Sequence, residues 1–141
     1  MKISRKAEYG LRAMVLLAGA PPNQPYQIQE LAGQGGIPVK FLEQILLLLK
    51  NGGLLKSKRG VGGGYQLNRE ARTISVGDVI EAIDGDLCSL ATGESGPDFA
   101  GAAGLRDCLE SVDELVNERL RSRTLEEILQ FESEVDVGFG I

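Results

Sequence analysis

Residues 28–67 read IQELAGQGGIPVKFLEQILLLLKNGGLLKSKRGVGGGYQL, and the order of elements in this stretch decides the fold. Ile28-Gln29-Glu30-Leu31-Ala32 opens a short helix. Gly33 and the Gly35-Gly36 pair should stop it, because glycine weakens a helix interior and favours the left-handed turn that ends one. Ile37 returns to the core. Pro38 stands where a missing amide is tolerated, at the start of a second helix that Phe41, Leu42, Ile45, Leu46, Leu48 and Leu49 continue to Asn51-Gly52-Gly53. Two short helices joined by a glycine turn outline a helix-turn-helix, whose second helix suits a major groove. Next, Leu54-Leu55-Lys56-Ser57-Lys58-Arg59 and Tyr65-Gln66-Leu67 flank the glycine-rich tip Gly60-Val61-Gly62-Gly63-Gly64, which predicts a β-hairpin, or wing. Arg59 at its base is placed to reach a minor groove. A nucleotide-binding loop would instead lead into a helix and end in Gly-Lys-Ser/Thr; neither feature is present.

Upstream, Ala7, Leu11, Met14, Val15 and Ala18 recur at helical spacing behind Ser4, a good N-cap, and Pro21-Pro22 with Pro25 break that helix. Downstream, Ser75 caps a helix that packs through Val76, Val79, Ile80 and Ile83, with Asp78 near its positive end. Residues 84–104 are rich in Gly, Ser, Asp and Pro and read as a long loop carrying Cys88. Leu105, Leu109, Val112, Leu115, Val116 and Leu120 then mark a long amphipathic helix with a charged opposite face. Little chain remains to cover that stripe, so pairing with a second copy is the economical expectation, and packing on the winged part is the alternative. Thr124 caps a last short helix to Leu129, followed by a frayed tail. The expected organisation is a winged helix-turn-helix over 1–83, a sensor loop over 84–104 and a dimerisation helix with tail over 105–141.

The net charge of −5 conceals two opposite halves. Residues 1–73 carry eleven Lys/Arg against four Asp/Glu, and the remainder carries four against sixteen, so +7 faces −12. A positive half suits a polyanion such as DNA, and an acidic half is kept away from it; an unevenly charged solvated surface is the plainer reading. Histidine is absent, which removes the commonest general base and metal ligand, and no nucleophile–base pair suggests an enzyme. No run of eighteen apolar residues and no secretory leader is visible, so a cytoplasmic location and no membrane partner are expected. In that reducing setting two cysteines, Cys88 and Cys108, are metal ligands, redox-active thiols or core residues more often than a structural disulfide.

Phe41-Leu42-Glu43-Gln44-Ile45, Gly52-Gly53-Leu54, Arg59-Gly60-x-Gly62-Gly63-Gly64-Tyr65 and Ile74-x-Val76-Gly77-Asp78-Val79-Ile80 follow the opening Ile3-Ser4-x-Lys6-x-x-Tyr9-x-x-Arg12-Ala13-Met14. In this order they resemble a family of winged-helix regulators that includes the iron–sulfur cluster regulator, the nitric-oxide-sensing repressor and the cysteine metabolism repressor of bacteria. The resemblance runs to about Leu129. It implies a DNA-binding repressor or activator, homodimeric through the long helix, with a recognition helix from Pro38 presenting Val39, Lys40, Glu43 and Gln44 to the major groove. Ser4, Lys6 and Lys56 become phosphate contacts, and Arg59 with Gly60 meets the minor groove.

Cluster-binding members carry three cysteines ahead of the dimerisation helix. Here Cys88 and Cys108 match the outer two, the middle one is missing, and Ser111 stands where some members have histidine. Glu8 matches an acidic ligand that some relatives supply from the partner subunit, and a histidine ligand of one relative corresponds to Arg12, which cannot ligate. Three expectations stay open: a 2Fe-2S cluster on Cys88, Cys108 and the partner's Glu8; a Cys88–Cys108 thiol switch, with Cys108 activated near a helix start; and two inert thiols. A winged-helix module that binds a protein instead of DNA is the alternative from another class.

Overall fold

Along the chain run α1 (Arg5–Ala18), α2 (Ile28–Gly35), α3 (Val39–Asn51), β1 (Leu55–Lys58), β2 (Gly64–Leu67), α4 (Val76–Asp84), α5 (Ala102–Ser122) and α6 (Leu125–Phe139), with a 3-10 turn at Ala71–Thr73. The computed structural model describes residues 2–87, 89–90 and 96–139. This is the mostly helical winged helix-turn-helix with a long C-terminal helix that the pattern predicts.

The core forms where the apolar stripes of the first three helices meet. Ala7, Ala13, Met14 and Leu17 of α1 face Leu31 of α2 and Leu42, Ile45, Leu46 and Leu49 of α3, and Ile74 and Val79 close one end. Ser4 caps α1 as expected, its hydroxyl accepting the Ala7 N–H at 3.0 Å. Of the predicted stops of α2, Gly33 is passed and the Gly35-Gly36 pair ends the helix. The helix runs through Gly35 and ends at Gly36, whose φ of +62° is a left-handed C-cap, and the Gly36 and Ile37 N–H groups both donate to the Ala32 carbonyl. That paired bond turns the chain sharply and drops Ile37 into the core, so α3 leaves at a defined angle.

At α4 the cap is reciprocal. The Ser75 hydroxyl accepts the Asp78 N–H at 2.9 Å while the Asp78 carboxylate accepts the Ser75 N–H at 3.0 Å. Ser75→Ala should cost about 1 kcal/mol and lower the melting temperature by roughly 3–5 °C in a circular dichroism melt; an unchanged melt would mean that water replaces the cap.

The second half departs from the expected layout in two ways. Helix α5 starts at Ala102, ahead of Leu105, which shortens the predicted loop. The chain before it folds back: the Leu90 N–H donates to the Asp113 carboxylate at 2.7 Å. None of the α5 residues is buried; Val116 and Leu120 lean on α4, whereas Leu105 and Leu115 stay exposed, Leu115 at 68%. Helix α6 is not a short helix with a frayed tail. It continues to Phe139. Its start is bound to the winged part, with the Val76 N–H donating to the Arg123 carbonyl at 2.8 Å and the Leu125 N–H to the Ile74 carbonyl at 2.9 Å. Leu125 is fully buried in the same core as α1 and α3. Among the described residues no helix is long and apolar enough to cross a membrane.

Candidate nucleic-acid interface

Helix α3 buries Leu42, Ile45, Leu46 and Leu49 and so turns its other side outward. Val39, Lys40, Glu43 and Gln44 all lie on that exposed side, together, as the sequence predicts. One turn further along, Leu47 is 58% exposed. The run Leu46-Leu47-Leu48-Leu49 hides it in a block of apolar letters; strict 3.6-residue counting from Glu43 and Gln44 places it on the outer face. The face thus combines one cation, one carboxylate, one amide and two apolar side chains, a set able to read base edges and thymine methyls.

The hairpin is held at two points, one of them on this helix. Lys50 in the last turn of α3 donates from Nζ to the Ser57 hydroxyl of β1 at 2.8 Å. On the other edge, Tyr26 from the α1–α2 connection exchanges two backbone hydrogen bonds of 2.8 Å with Tyr65 of β2, so the hairpin gains a third paired segment. A β-carbon at Gly64 would stand 2.4 Å from the Tyr26 carbonyl oxygen, and the residue has φ +145°, so only glycine permits this approach. Strands pair antiparallel with Leu55 opposite Leu67 and Lys58 opposite Gly64, leaving Arg59, Gly60 and Val61 projecting at the exposed tip. Gly60 adopts φ +91°. Lys56 does not converge with this group: alternation sends it to the opposite face of the ribbon from Ser57, beside a cleft shared with Pro21, Gln24, Gln66 and Arg69.

At the start of α1 Lys6 is exposed. The Ser4 hydroxyl is already committed twice, accepting from Ala7 and donating to the Asp84 carboxylate at 2.6 Å, which weakens its case as a phosphate contact. Arg5 hydrogen-bonds Tyr9, and that bond raises the guanidinium pKa above its ordinary value. Glu8 is bonded to Arg12 of its own helix at 3.1 Å. The two stand at the edge of an apolar groove of about 620 Å³ lined by Leu11, Val15, Leu16, Val76 and Ile128.

Cys88 lies outside the described residues. Cys108 is exposed on α5. Because α5 begins at Ala102, Cys108 lies in the second turn of the helix and not at its start. The 2Fe-2S cluster is expected on Cys88, Cys108 and the partner's Glu8; of these positions, 108 and 8 lie within the described residues. The chain holds two thiols and no histidine, and Glu8 is bonded to a cation. Among the described residues no three potential ligands converge.

Comparison with known proteins bears on the whole arrangement. The family model of the iron-dependent transcriptional regulators called Rrf2 matches residues 3–130. The HTH-type transcriptional regulator CymR of Bacillus subtilis is 33% identical over 131 residues, 93% of this chain and 91% of that relative. Two Mycobacterium tuberculosis relatives are 46% identical over 90 residues, 64% of this chain, and the match spans only 56% of their length. Among solved structures, B. subtilis CymR superposes with a TM-score of 0.78 at 32% identity, covering 93% of this chain and 98% of that one. The IscR of T. potens gives 0.72 at 32% identity over 96% and 90% of the two chains. These relatives carry the names of regulators, not of enzymes. A helix-turn-helix with its reading face exposed, a hairpin braced on both edges and a family match over nearly the full length lead to one conclusion: the chain belongs to the Rrf2 family of transcriptional regulators.

Proposed function

We propose that the chain binds double-stranded DNA as a homodimer and regulates transcription in the cytoplasm. The observation that carries this reading is the exposed face of α3, Val39, Lys40, Glu43, Gln44 and Leu47, braced beside the hairpin that projects Arg59. In this reading Glu43 accepts from a cytosine amino group, Gln44 pairs with adenine, and Val39 and Leu47 meet thymine methyls. Lys40 and Lys6 hold phosphates. Arg59 enters a narrow minor groove, where Gly60 lets the backbone come close. Ser4 and Lys56 contribute less, the first because its hydroxyl is occupied and the second because it faces the other side of the hairpin. Exposed apolar residues on α5 and the groove beside α1 are the surfaces a second copy would cover, and a dimer places two reading heads on successive turns.

Fluorescence anisotropy with duplexes selected from a random library tests this. Gln44→Ala and Arg59→Ala should each weaken specific binding by about 1–3 kcal/mol. Unchanged affinity removes that residue from the interface, and capture of a protein with no retention of any duplex favours the protein-binding alternative.

For the signal, the donor set favours thiol chemistry at Cys88 and Cys108 over a cluster. One solved relative, 32% identical with a TM-score of 0.74, is the oxidized form of Staphylococcus aureus CymR. A peroxide-class oxidant would take two electrons and two protons from the two thiols as a disulfide forms. Anaerobic purification should then yield colourless, iron-free protein whose DNA affinity changes with peroxide and returns with dithiothreitol; iron and visible absorption that disappear in Cys88→Ser and Cys108→Ser variants would restore the cluster reading.

A further inference from the structure

We infer that Arg12 holds the helix-turn-helix turn in place and is a positioning residue for base recognition, not a phosphate contact; the inference rests on the DNA-binding reading above. The last carbonyls of a helix lack intrahelical donors, and a cation near them is favoured by the helix dipole. Helix α2 has no basic residue in its own last turn. Arg12, reaching across from α1, supplies one: its Nη1 donates to the Gly35 carbonyl at 3.3 Å, immediately before the left-handed Gly36. Its Nη2 donates to the Glu8 carboxylate at 3.1 Å. The face of the same guanidinium lies 5.3 Å from the centre of the Tyr9 ring, and that ring is 6.4 Å from Phe41 in the first turn of the recognition helix. One planar fork therefore touches the end of α2 directly and the start of α3 through Tyr9.

Two of the five N–H donors are committed within the chain, one face lies toward Tyr9, and Glu8 offsets the charge, which directs the side chain toward the turn. Exposed ion pairs contribute little singly. The arrangement depends instead on planarity and on several fixed donors at once, which lysine cannot reproduce.

Arg12→Lys keeps the charge and removes the fork. Its affinity for the selected duplex should fall about tenfold, the scale of one charge-assisted hydrogen bond. Affinity for a scrambled duplex and the salt slope should stay unchanged, whereas Arg12→Ala would lower the slope by about one per subunit if the residue held a phosphate. Hydrogen–deuterium exchange of Arg12→Lys should show faster exchange in residues 35–41 and unaltered protection in α4 and α6. Undisturbed protection in 35–41, or equal weakening on both duplexes, overturns the proposal. Failure of the unaltered protein to bind any duplex sinks the DNA-binding reading instead, and the exchange result then decides Arg12's role in the turn by itself.

Discussion

Raising the salt from 50 to 200 mM should weaken specific DNA binding by about 10³-fold, on a log–log slope near −5, if a dimer neutralises about six phosphates. The number follows from the exposed cations. Lys6, Lys40 and Arg59 stand free on the proposed DNA side of each chain, two copies supply six, and Lys56 points away from them. A chain with net charge −5 has no general attraction for a polyanion, so a steep slope must come from this local cluster. Anisotropy titrations at several salt concentrations give the slope directly. A value near −2 would mean that the hairpin and α1 stay off the backbone, and a flat line would end the interpretation of the basic half as a DNA-binding face.

The parts of this interface that rest on local chemistry were readable from the letters alone. Pro38 at a helix start, the glycine tip of the hairpin, the Ser4 cap and the Ser75–Asp78 pair each follow from what one residue type does to its own backbone. The family resemblance, not local chemistry, singled out Lys40, Glu43 and Gln44 as one outward face. What escaped local reading depends on distant neighbours. Of the glycines that argue for a helix end, the helix passes through Gly33 and Gly35 and stops at Gly36, the one in the left-handed conformation. Tyr26, between prolines and a helix, carries no strand signal; its pairing with Tyr65 exists because the hairpin comes alongside. Arg12 reads as an ordinary exposed arginine, and only the crossing of α1 over α2 brings it to the Gly35 carbonyl. Helix α5 begins before its first leucine because Ala102 and Ala103 suit a helix without marking one.

The C-terminal helix is where local reading misled most, and Leu125→Ala is the sharpest test of what replaced it. The sequence reading puts Leu125 in a short helix ending at Leu129 and assigns it no partner. In the structure Leu125 is fully buried, joins the core of α1 and α3, and sits at the backbone bonds that pin Arg123 and Leu125 to Val76 and Ile74 at the start of α4. Removing its side chain from a closed core should cost about 2–5 kcal/mol through lost transfer energy and the cavity left behind. For a chain of this size that lowers the melting temperature by roughly 10 °C. Phe131, exposed on the same helix, is the control: Phe131→Ala should shift stability by less than about 0.5 kcal/mol if that face meets only water. If Phe131→Ala lowers the melting temperature and the loss grows on dilution, the outer face of α6 is covered by a second chain. If Leu125→Ala leaves the melt unchanged, α6 is peripheral after all. The acidic half would then hang from the winged head as a separate arm, and any signal it receives would have no packed route to the Pro38 end of the recognition helix.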